Sequence, residues 1–320
     1  MANGANGRDE VRQKDRTSNK YAAKKAATER LAAQRAAQQK AERRRNVLVA
    51  GGSTLGVIIV VVVIVVVGLA TKKNSGGGSG NAVASASSAV TEGISAAATG
   101  TLSQSNPDFS TISGPPTTIS GDPLTGDGGK PQVLYVGAEY CPYCTTERWA
   151  MAVALSRFGT FTGLGETASS PSDVYPNTAT LTFHGASYAS TYLSFTAREI
   201  QSNQVVNGAY APLDTLSSAD QALFDKYNAP PYTDSAGSIP FIDIGGRYLI
   251  SGSSYSPQVL QGKTQTQIAA ALADPNSAIA KAVDGTANLI TAAICQITNG
   301  QPGAVCQSPG VVTAAAALTA

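Results

Sequence analysis

Residues 132–144 read QVLYVGAEYCPYC, and this stretch decides how the folded part of the chain is organised. The apolar segment 132–136 predicts a strand, and a helical pattern begins near Cys144. Two cysteines separated by two residues at a strand-to-helix junction can open and close a disulfide at little conformational cost. The first sulfur would lie at the positive end of the helix, which favours its thiolate. The pattern therefore predicts a redox-active pair, Cys141 and Cys144.

Strands and helices alternate around this junction in residues 128–310, a length that suits one core. Segments rich in β-branched and aromatic residues predict strands, and segments with helical spacing or capping residues predict helices. The predicted strands are 132–136, 178–183, 192–200, 241–244 and 248–250, and the predicted helices are 144–158, one from Ser217 or Ser218 to Pro230, 257–273 and 276–298. This alternation, with a terminal hairpin at Gly245 and Gly246, predicts an α/β domain.

The net charge of +2 at pH 7 hides an asymmetry between the N-terminus and the rest of the chain. Residues 1–46 hold 13 Lys or Arg and 5 Asp or Glu, a net charge of +8, so the remainder carries −6. An acidic folded part argues against nucleic acid as its partner. The basic segment is interpreted as a cytoplasmic tail that orients the protein. Binding of anionic lipid or nucleic acid by this tail is the alternative.

The uncharged apolar stretch 47–70 is long enough to cross a bilayer, which needs about 20 residues. Arginines at 43–45 precede it, and this basic excess places the N-terminus in the cytoplasm, although lysines at 72 and 73 argue weakly the other way. A cleaved signal peptide is the competing interpretation, but the leader is too long and no clear A-x-A site follows. We expect a single-pass protein of the cell membrane with an extracytoplasmic C-terminal domain.

Residues 71–127 are rich in Gly, Ser, Ala and Thr and include the run SGGGSG at 75–80. Such a composition predicts a flexible linker between the membrane segment and the domain. A short patch at 82–94 could pack on the domain, so the expected boundary at 128 holds to within about 20 residues. Residues 311–320 are expected to form a C-terminal tail.

The motif also carries a family resemblance. The sequence CPYC after an apolar strand, followed about 95 residues later by SIPF at 238–241, resembles the thioredoxin fold, in which a cis-proline faces the active-site disulfide. The stretches GAEYCPYCTTERWAMAVALSRFGTF, DVYPNTATLTFHGASY and ICQITNGQPGAVC are similar to the actinobacterial membrane-anchored DUF929 family, over about the last 190 residues. The resemblance implies a thioredoxin-like domain with an inserted segment between the CxxC helix and the cis-proline strand, but it brings no established activity.

Each residue of the candidate site has its own physical argument. Cys141 is expected to be the exposed nucleophile, because helix N–H groups and the macrodipole can lower its pKa below about 8.5. Cys144, one turn into the helix, is the expected resolving thiol that expels the partner from a mixed disulfide. Pro142 suits a helix start, because the N–H that it lacks would be unsatisfied there. The resemblance implies a cis bond before Pro240, with backbone edges that can pair with a substrate strand.

The sequence departs from thioredoxins at several positions. Tyr135 stands where thioredoxins carry a buried carboxylate, six residues before the first cysteine, so proton transfer must differ. Glu139 is the candidate base, with a solvated or salt-bridged role as the alternative. The roles of Glu147 and Arg148 stay open, because side chains at adjacent helix positions do not pair with each other. Tyr143 places no imidazolium beside the first cysteine, which leaves the direction of electron flow open.

The remaining cysteines, Cys295 and Cys306, are separated by ten residues across a turn-rich loop. Four cysteines outside the cytoplasm tend to pair, so a structural disulfide is expected. A second redox pair that relays electrons to the motif is one alternative. A zinc site made from all four is another, although the spacing lacks the paired C-x-x-C of zinc ribbons. The motif pair could itself be a closed structural bridge.

The single histidine, His184, ends a strand pattern without a nearby cluster of Cys, Asp or Glu and is interpreted as structural. No P-loop, dinucleotide-binding fingerprint or Ser-His-Asp arrangement is visible. We expect a membrane-anchored thiol–disulfide oxidoreductase without cofactor or metal, whose partners are thiols of exported proteins or a membrane redox partner. A non-catalytic envelope scaffold or binding module with structural disulfides is the alternative.

Overall fold

The strand before the cysteine motif, Gln132–Gly137, and the helix after it, Pro142–Leu155, form the centre of the fold. The computed structural model describes residues 84–101, 108 and 110–318, all within the unit Asn81–Ala320. The predicted cytoplasmic tail, the predicted transmembrane helix and the first part of the predicted linker lie outside these residues and stay predictions. The described part is a mixed α/β domain, as the sequence indicates.

The helices and strands are numbered in chain order. The strands are β1 (Ala84–Ser85), β2 (Thr117–Thr118), β3 (Gln132–Gly137), β4 (Gly159–Thr162), β5 (Gly165–Ala168), β6 (Ala179–Thr182), β7 (Ser187–Ser190), β8 (Ser194–Glu199), β9 (Gln201–Val206), β10 (Ala209–Pro212), β11 (Phe241–Ile244) and β12 (Tyr248–Ser251). The helices are α1 (Ser88–Gly100), α2 (Pro142–Leu155), α3 (Ser218–Tyr227), α4 (Gln265–Ala271), α5 (Ala278–Ile297), α6 (Gly303–Cys306) and α7 (Pro309–Ala317), and the short 3₁₀ turns are Asp127–Gly129 and Pro257–Leu260.

The largest sheet of the described residues has five strands in the order β2-β12-β11-β3-β8. β3 pairs in parallel with β8, and this pairing ends with Gly137 opposite Glu199. On its other side β3 pairs antiparallel with β11, where Phe241 lies opposite Val136. Because Pro240 immediately precedes β11, this register brings it to the end of β3, from which the chain runs on to the motif.

Burial explains why the central strand and helix form here. All six residues of β3 are buried, which is typical of a strand covered on both faces. α2 is buried along nearly its whole length and packs against α5, α1 and β6. Trp149, Val153 and Leu155, which the sequence predicts to be apolar contacts, are fully buried in the main hydrophobic core. Burial of one such side chain contributes roughly 1.5–3 kcal/mol, so α2 is a principal source of stability.

α5 is, among the described residues, the one helix that is long and apolar enough to cross a membrane. Its apolar window is 89% buried inside the domain, which is typical of a core helix. It begins after Ser277, whose side chain accepts the N–H of Ala280 and so caps the helix. The packing of α5 against α2 and α7 therefore accounts for its apolar sequence.

The predicted strands and helices of the domain are confirmed with shifted ends. α2 begins at Pro142 rather than Cys144. β11 and β12 form the predicted hairpin, in which Gly245 and Gly246 have φ values of 69° and 70°. This left-handed conformation favours glycine over residues with a side chain. The segment 257–273 differs from the single helix that is expected, because it forms a 3₁₀ turn followed by α4.

Most of the small strands lie between α2 and the strand that follows Pro240, in the predicted inserted segment. β4 pairs with β7, β5 pairs with β1 and β6, and β9 pairs with β10. The sequence predicts only two strands here, 178–183 and 192–200, which correspond to β6 and β8. The other strands in this segment contain few large apolar residues and are mostly exposed or partly buried, so their sequences show no apolar alternation.

The folded part begins earlier than the expected boundary at residue 128. α1 lies in the expected linker, yet its Val90 and Ile94 are buried in the main core. The sequence of α1 is rich in Ala, Ser and Gly, so its apolar face has few large side chains and its composition resembles a linker. The expected C-terminal tail also differs, because α7 buries Val311 and Ala314.

Candidate redox site at Cys141 and Cys144

Cys141 is the N-cap residue of α2, at the position that the motif predicts. Its backbone is extended, with φ −77° and ψ 119°, and its sulfur accepts the N–H of Cys144 at 3.3 Å. Pro142 follows in the first turn, where its missing N–H leaves no helical hydrogen bond unmade. The sulfur of Cys141 therefore lies at the positive end of the helix dipole.

Both motif cysteines are free thiols in this structure, and both are buried. Cys141 is 5% exposed and Cys144 is 0% exposed. The prediction of an exposed Cys141 is therefore wrong for this conformation, although Cys141 is the more accessible of the two. Ala138 packs with the pair, and the partly buried Tyr140 and Ile239 cover it. These covering residues come from loops, whose positions depend on contacts that are distant in sequence.

The two thiols differ in acidity. The pKa of Cys141 is lowered from 9.0, first by a hydrogen bond with the side chain of Cys144 and also by the Cys144 N–H and the charge of Arg148, against the effect of burial. The pKa of Cys144 is raised well above 9.0, mainly because burial disfavours its thiolate. Disulfide exchange requires this order of pKa values: a nucleophilic thiol with a low pKa beside a resolving thiol with a higher one.

Pro240 is buried next to the cysteine pair in the fold. The Ile239–Pro240 peptide bond is cis, and the carbonyl oxygen of Ile239 lies 3.9 Å from the sulfur of Cys141. The pairing of β3 with β11 produces this proximity. The structure therefore brings together the two sequence landmarks, the cysteine motif and the proline segment.

A buried ion pair lies behind the motif. Arg148 of α2 and Glu199 at the end of β8 are both 0% exposed. Nε and Nη2 of Arg148 donate to the two carboxylate oxygens of Glu199 at 2.7 and 2.9 Å, and Nη2 also donates to the carbonyl of Ala138 at 2.5 Å. Sequence reasoning leaves Arg148 ambiguous and misses Glu199, because the pair joins positions 51 residues apart. The spacing of four residues from Cys144 to Arg148 is the local signal that was available.

Tyr135 is fully buried at the position where thioredoxins carry a carboxylate. Its hydroxyl has no hydrogen-bond partner among the described residues. The hydroxyl lies close to Gly137, since a Cβ at Gly137 would come within 2.1 Å of the oxygen, so the glycine makes room for the ring. Burial raises the pKa of Tyr135 well above 10.0. Tyr135 therefore stays neutral at physiological pH and does not replace the carboxylate as a base.

Glu139, the candidate base, is 4% exposed in the loop between β3 and α2. Burial raises its pKa above 4.5, although a hydrogen bond with Thr182 and the charge of Arg148 oppose the rise. Its Oε1 has no hydrogen-bond partner in the part of the chain that is described. The solvated role does not fit this burial. A buried carboxylate with an unpaired oxygen and a raised pKa suits proton transfer near a thiol pair.

His184 pairs with Asp214, with 2.7 Å between Nδ1 and Oδ1, and both side chains are partly exposed. The other carboxylate oxygen of Asp214 accepts the backbone N–H of Glu199 at 2.9 Å. The histidine thus connects the chain after β6 to the end of β8, which agrees with a structural role. The sequence shows no sign of the Asp214 partner, because 30 residues separate the two.

Cys295 and Cys306 form a disulfide that links the end of α5 to α6, as the sequence predicts. A disulfide leaves no thiolate at these two sulfurs, so the zinc alternative with all four cysteines does not fit this state. Across the described residues, no group of three or more His, Cys, Asp or Glu is placed to hold a metal ion. The redox-relay alternative for this disulfide stays a prediction.

The fold and the site together define an α/β domain in which a free CxxC pair begins a buried helix and faces a proline segment. The chain belongs to the DUF929 family, a domain of unknown function, which matches residues 116–296. The match covers the motif, Pro240 and Cys295, but not Cys306. No curated protein and no solved structure matches the chain.

Proposed function

We propose that this protein is a membrane-anchored thiol–disulfide oxidoreductase with a thioredoxin-like domain outside the cell membrane, acting on exported proteins. One observation carries the proposal: the sulfur of Cys141 caps α2, accepts the N–H of Cys144 at 3.3 Å and lies 3.9 Å from the carbonyl of Ile239. This arrangement supports a reactive thiolate beside main chain to which an extended substrate segment can bind.

The exchange begins with attack of the Cys141 thiolate on one sulfur of a substrate disulfide. A Cys141–substrate disulfide forms, the substrate S–S bond breaks, and the second substrate sulfur leaves as a thiolate. Cys144 loses its proton and attacks the Cys141 sulfur, so a Cys141–Cys144 disulfide forms and the first substrate sulfur leaves. The substrate gains two electrons and the motif loses two. The reverse sequence oxidises a dithiol substrate and leaves the motif reduced. A membrane carrier completes either cycle: its dithiol form reduces the motif disulfide after the forward sequence, and its disulfide form oxidises the motif dithiol after the reverse one.

Glu139 is the proposed proton acceptor for Cys144 in the resolving step. Cys144 needs an acceptor because burial raises its pKa. Glu139 precedes the motif by two residues and is 4% exposed, its Oε1 is unpaired among the described residues, and its pKa is raised. An acceptor with these properties can take up a proton at a pH where a solvated carboxylate cannot.

The proposed location rests on residues 1–70, which combine a basic segment with an apolar stretch of membrane-spanning length. The Cys295–Cys306 disulfide supports it, because disulfides persist in oxidising compartments and are rare in the cytosol. The net charge of −6 outside the basic tail supports protein partners rather than nucleic acid. The proposed reaction uses the redox-active disulfide of the motif and needs no cofactor.

A non-catalytic envelope scaffold is the second candidate function. Burial favours it: Cys141 is 5% exposed, so a substrate sulfur must enter through a narrow opening or displace Tyr140. In a scaffold, the motif pair would persist as a closed disulfide with a potential below about −300 mV.

Turnover by the full chain in detergent separates the two functions. The probe is an unfolded peptide that contains one disulfide, with glutathione as the source of electrons. We expect the rate above the uncatalysed reaction to disappear in Cys141→Ser, while a Cys295→Ser/Cys306→Ser variant keeps it. Equal rates for the wild-type chain and Cys141→Ser would contradict the proposed activity.

A further inference from the structure

Cys141 is the N-cap of α2, and Cys144 and Arg148 within α2 share one face because they are four residues apart. The carbonyl of Ala138 accepts two hydrogen bonds, one from Nη2 of Arg148 at 2.5 Å and one from the N–H of Cys141 at 3.2 Å. A single carbonyl thus connects the guanidinium to the backbone of the proposed nucleophile. Arg148 is therefore held against the same short loop that positions the reactive sulfur.

The ion pair of Arg148 with Glu199 is not explained by stability. Taking two charges out of water is costly, and replacing such a pair by apolar residues often leaves stability unchanged or raises it. Both side chains are 0% exposed, and Nη1 of Arg148 has no hydrogen-bond partner among the described residues. The positive charge is therefore incompletely matched by hydrogen bonds, in a place where water does not screen it.

The ionisable groups that act on Cys144 come from several elements of the fold. They are Cys141 and Arg148 on α2, Tyr135 on β3 and Glu199 on β8. Among these four groups, Arg148 is the one that carries a positive charge. Its charge favours the Cys144 thiolate and the charge of Glu199 disfavours it.

We propose that Arg148, held in place by Glu199, is a positioning residue that stabilises the thiolates of Cys141 and Cys144. The inference rests on the proposed exchange at this pair and adds its electrostatic control. Arginine keeps its proton in proteins, so Arg148 supplies a fixed charge and does not transfer a proton. The effect is largest for Cys144, which is 0% exposed and has no bulk water to stabilise its charge in the resolving step.

Three variants of the full chain isolate this charge. Arg148→Met/Glu199→Gln removes both charges together, so no unpaired carboxylate remains buried. Arg148→Lys keeps the cation. Arg157→Met is the matched control, because Arg157 is another buried arginine and donates to the carbonyls of Ala98 and Ala287 rather than to the motif.

The first readout is the ultraviolet absorbance of the Cys141 thiolate against pH, on the reduced motif with the Cys295–Cys306 disulfide intact. We expect Arg148→Met/Glu199→Gln to raise the pKa of Cys141 by about one unit, which leaves about tenfold less thiolate below that pKa. Arg148→Lys and Arg157→Met should stay close to the wild-type value. The second readout is the release of glutathione from a Cys141–glutathione disulfide, which reports the attack by Cys144 and should slow about tenfold in the charge-free variant.

The proposal is overturned if Arg148→Met/Glu199→Gln keeps both the wild-type pKa of Cys141 and the wild-type rate of glutathione release. It is also overturned if Arg157→Met shifts the pKa of Cys141 by the same amount. If Arg148→Met/Glu199→Gln does not fold, Arg148→Met/Glu199→Leu replaces it, because an apolar pair of similar volume often keeps the stability of a buried ion pair. It should likewise raise the pKa of Cys141 by about one unit, and an unchanged or lowered pKa overturns the proposal. The titration needs no substrate. A wild-type chain without turnover therefore overturns the proposed function, while the expected shift still supports the role of Arg148.

Discussion

The sulfur of Cys141 lies 3.9 Å from the carbonyl oxygen of Ile239, although 98 residues separate the two in sequence. The sheet produces this proximity. Phe241 of β11 lies opposite Val136 of β3, so the chain entering β11 and the chain leaving β3 meet at one edge. The main chain before Pro240 therefore lies beside the sulfur of Cys141. In the proposed exchange, this backbone is where an extended substrate segment would bind.

Cys144→Ser should trap the partner of Cys141 as a mixed disulfide, because the thiol that resolves this intermediate is missing. Non-reducing electrophoresis and mass spectrometry of membranes from cells that produce the variant would detect the trapped species. Cys141→Ser is the matched control and should trap nothing, since Cys144 is 0% exposed. Equal trapping by both variants would contradict the roles assigned to the two sulfurs.

Asp284 on α5 should make the domain less stable as the pH rises. It is 0% exposed, and neither carboxylate oxygen has a hydrogen-bond partner among the described residues. Burial raises its pKa from 3.8 to about 8, although the charge of Arg157 opposes the rise. Because the pKa is higher in the folded state, folding takes up a proton between about pH 4 and pH 8. The free energy of unfolding therefore falls with pH across this window.

Asp284→Asn should raise the free energy of unfolding near pH 8 by on the order of 5 kcal/mol and should change it little near pH 4. Denaturant titrations at several pH values would measure this difference. Glu147 has a pKa raised to about 7 by burial, so a weaker slope of the same sign should remain in the variant. A variant with the full wild-type slope would show that Asp284 does not hold the proton.

Cys295→Ser/Cys306→Ser should lower the free energy of unfolding by about 2–4 kcal/mol, because the disulfide no longer restricts the unfolded chain. The account expects disulfide exchange at the motif to continue at a similar rate in this variant, when measured below its unfolding transition. A relay role for this disulfide has the opposite consequence, since its removal would abolish turnover with a membrane thiol carrier while Cys141 stayed reactive.

Gly93→Ala should destabilise the domain by up to about 2 kcal/mol. Alanine has the higher helix propensity by about 1 kcal/mol, but overpacking costs about 1–3 kcal/mol. A Cβ at Gly93 would come 2.8 Å from the Cβ and 2.9 Å from the carbonyl oxygen of Ala269, which the backbone of α4 cannot easily accommodate. Gly100→Ala is the control, because no atom lies within 4 Å of that added Cβ. Equal effects of both substitutions on thermal unfolding would contradict the packing of α1 against α4.

The core of the fold follows from local signals in the sequence. The apolar run of β3, the Ser217 cap of α3 and the glycine pair before β12 each act over a few residues, and each is confirmed. α1 follows only in part from such signals. Its Ala-rich and Ser-rich sequence has the composition of a linker, but the sequence allows the patch 82–94 to pack on the domain, and Val90 and Ile94 within it are buried in the main core.

One part of the candidate site also follows from local signals in the sequence, and another part does not. The motif itself specifies Cys141 at the helix N-cap. Glu199 becomes visible only once β3 and β8 are paired, because the pairing places it opposite Gly137 and within reach of Arg148. The burial of Cys141 depends on Tyr140 and Ile239, which converge from two distant loops. Long-range pairing of this kind leaves no local pattern in one sequence.

The equilibrium of the Cys141–Cys144 pair with a glutathione redox buffer tests the central claim most directly. Reduced and oxidised forms of the full chain can be counted by mass spectrometry after acid quenching and alkylation. The account predicts a reversible couple with a potential between about −270 and −120 mV, the range of known exchange catalysts. A potential below about −300 mV, or a pair that never exchanges with glutathione, would identify a structural bridge and contradict the proposed redox function.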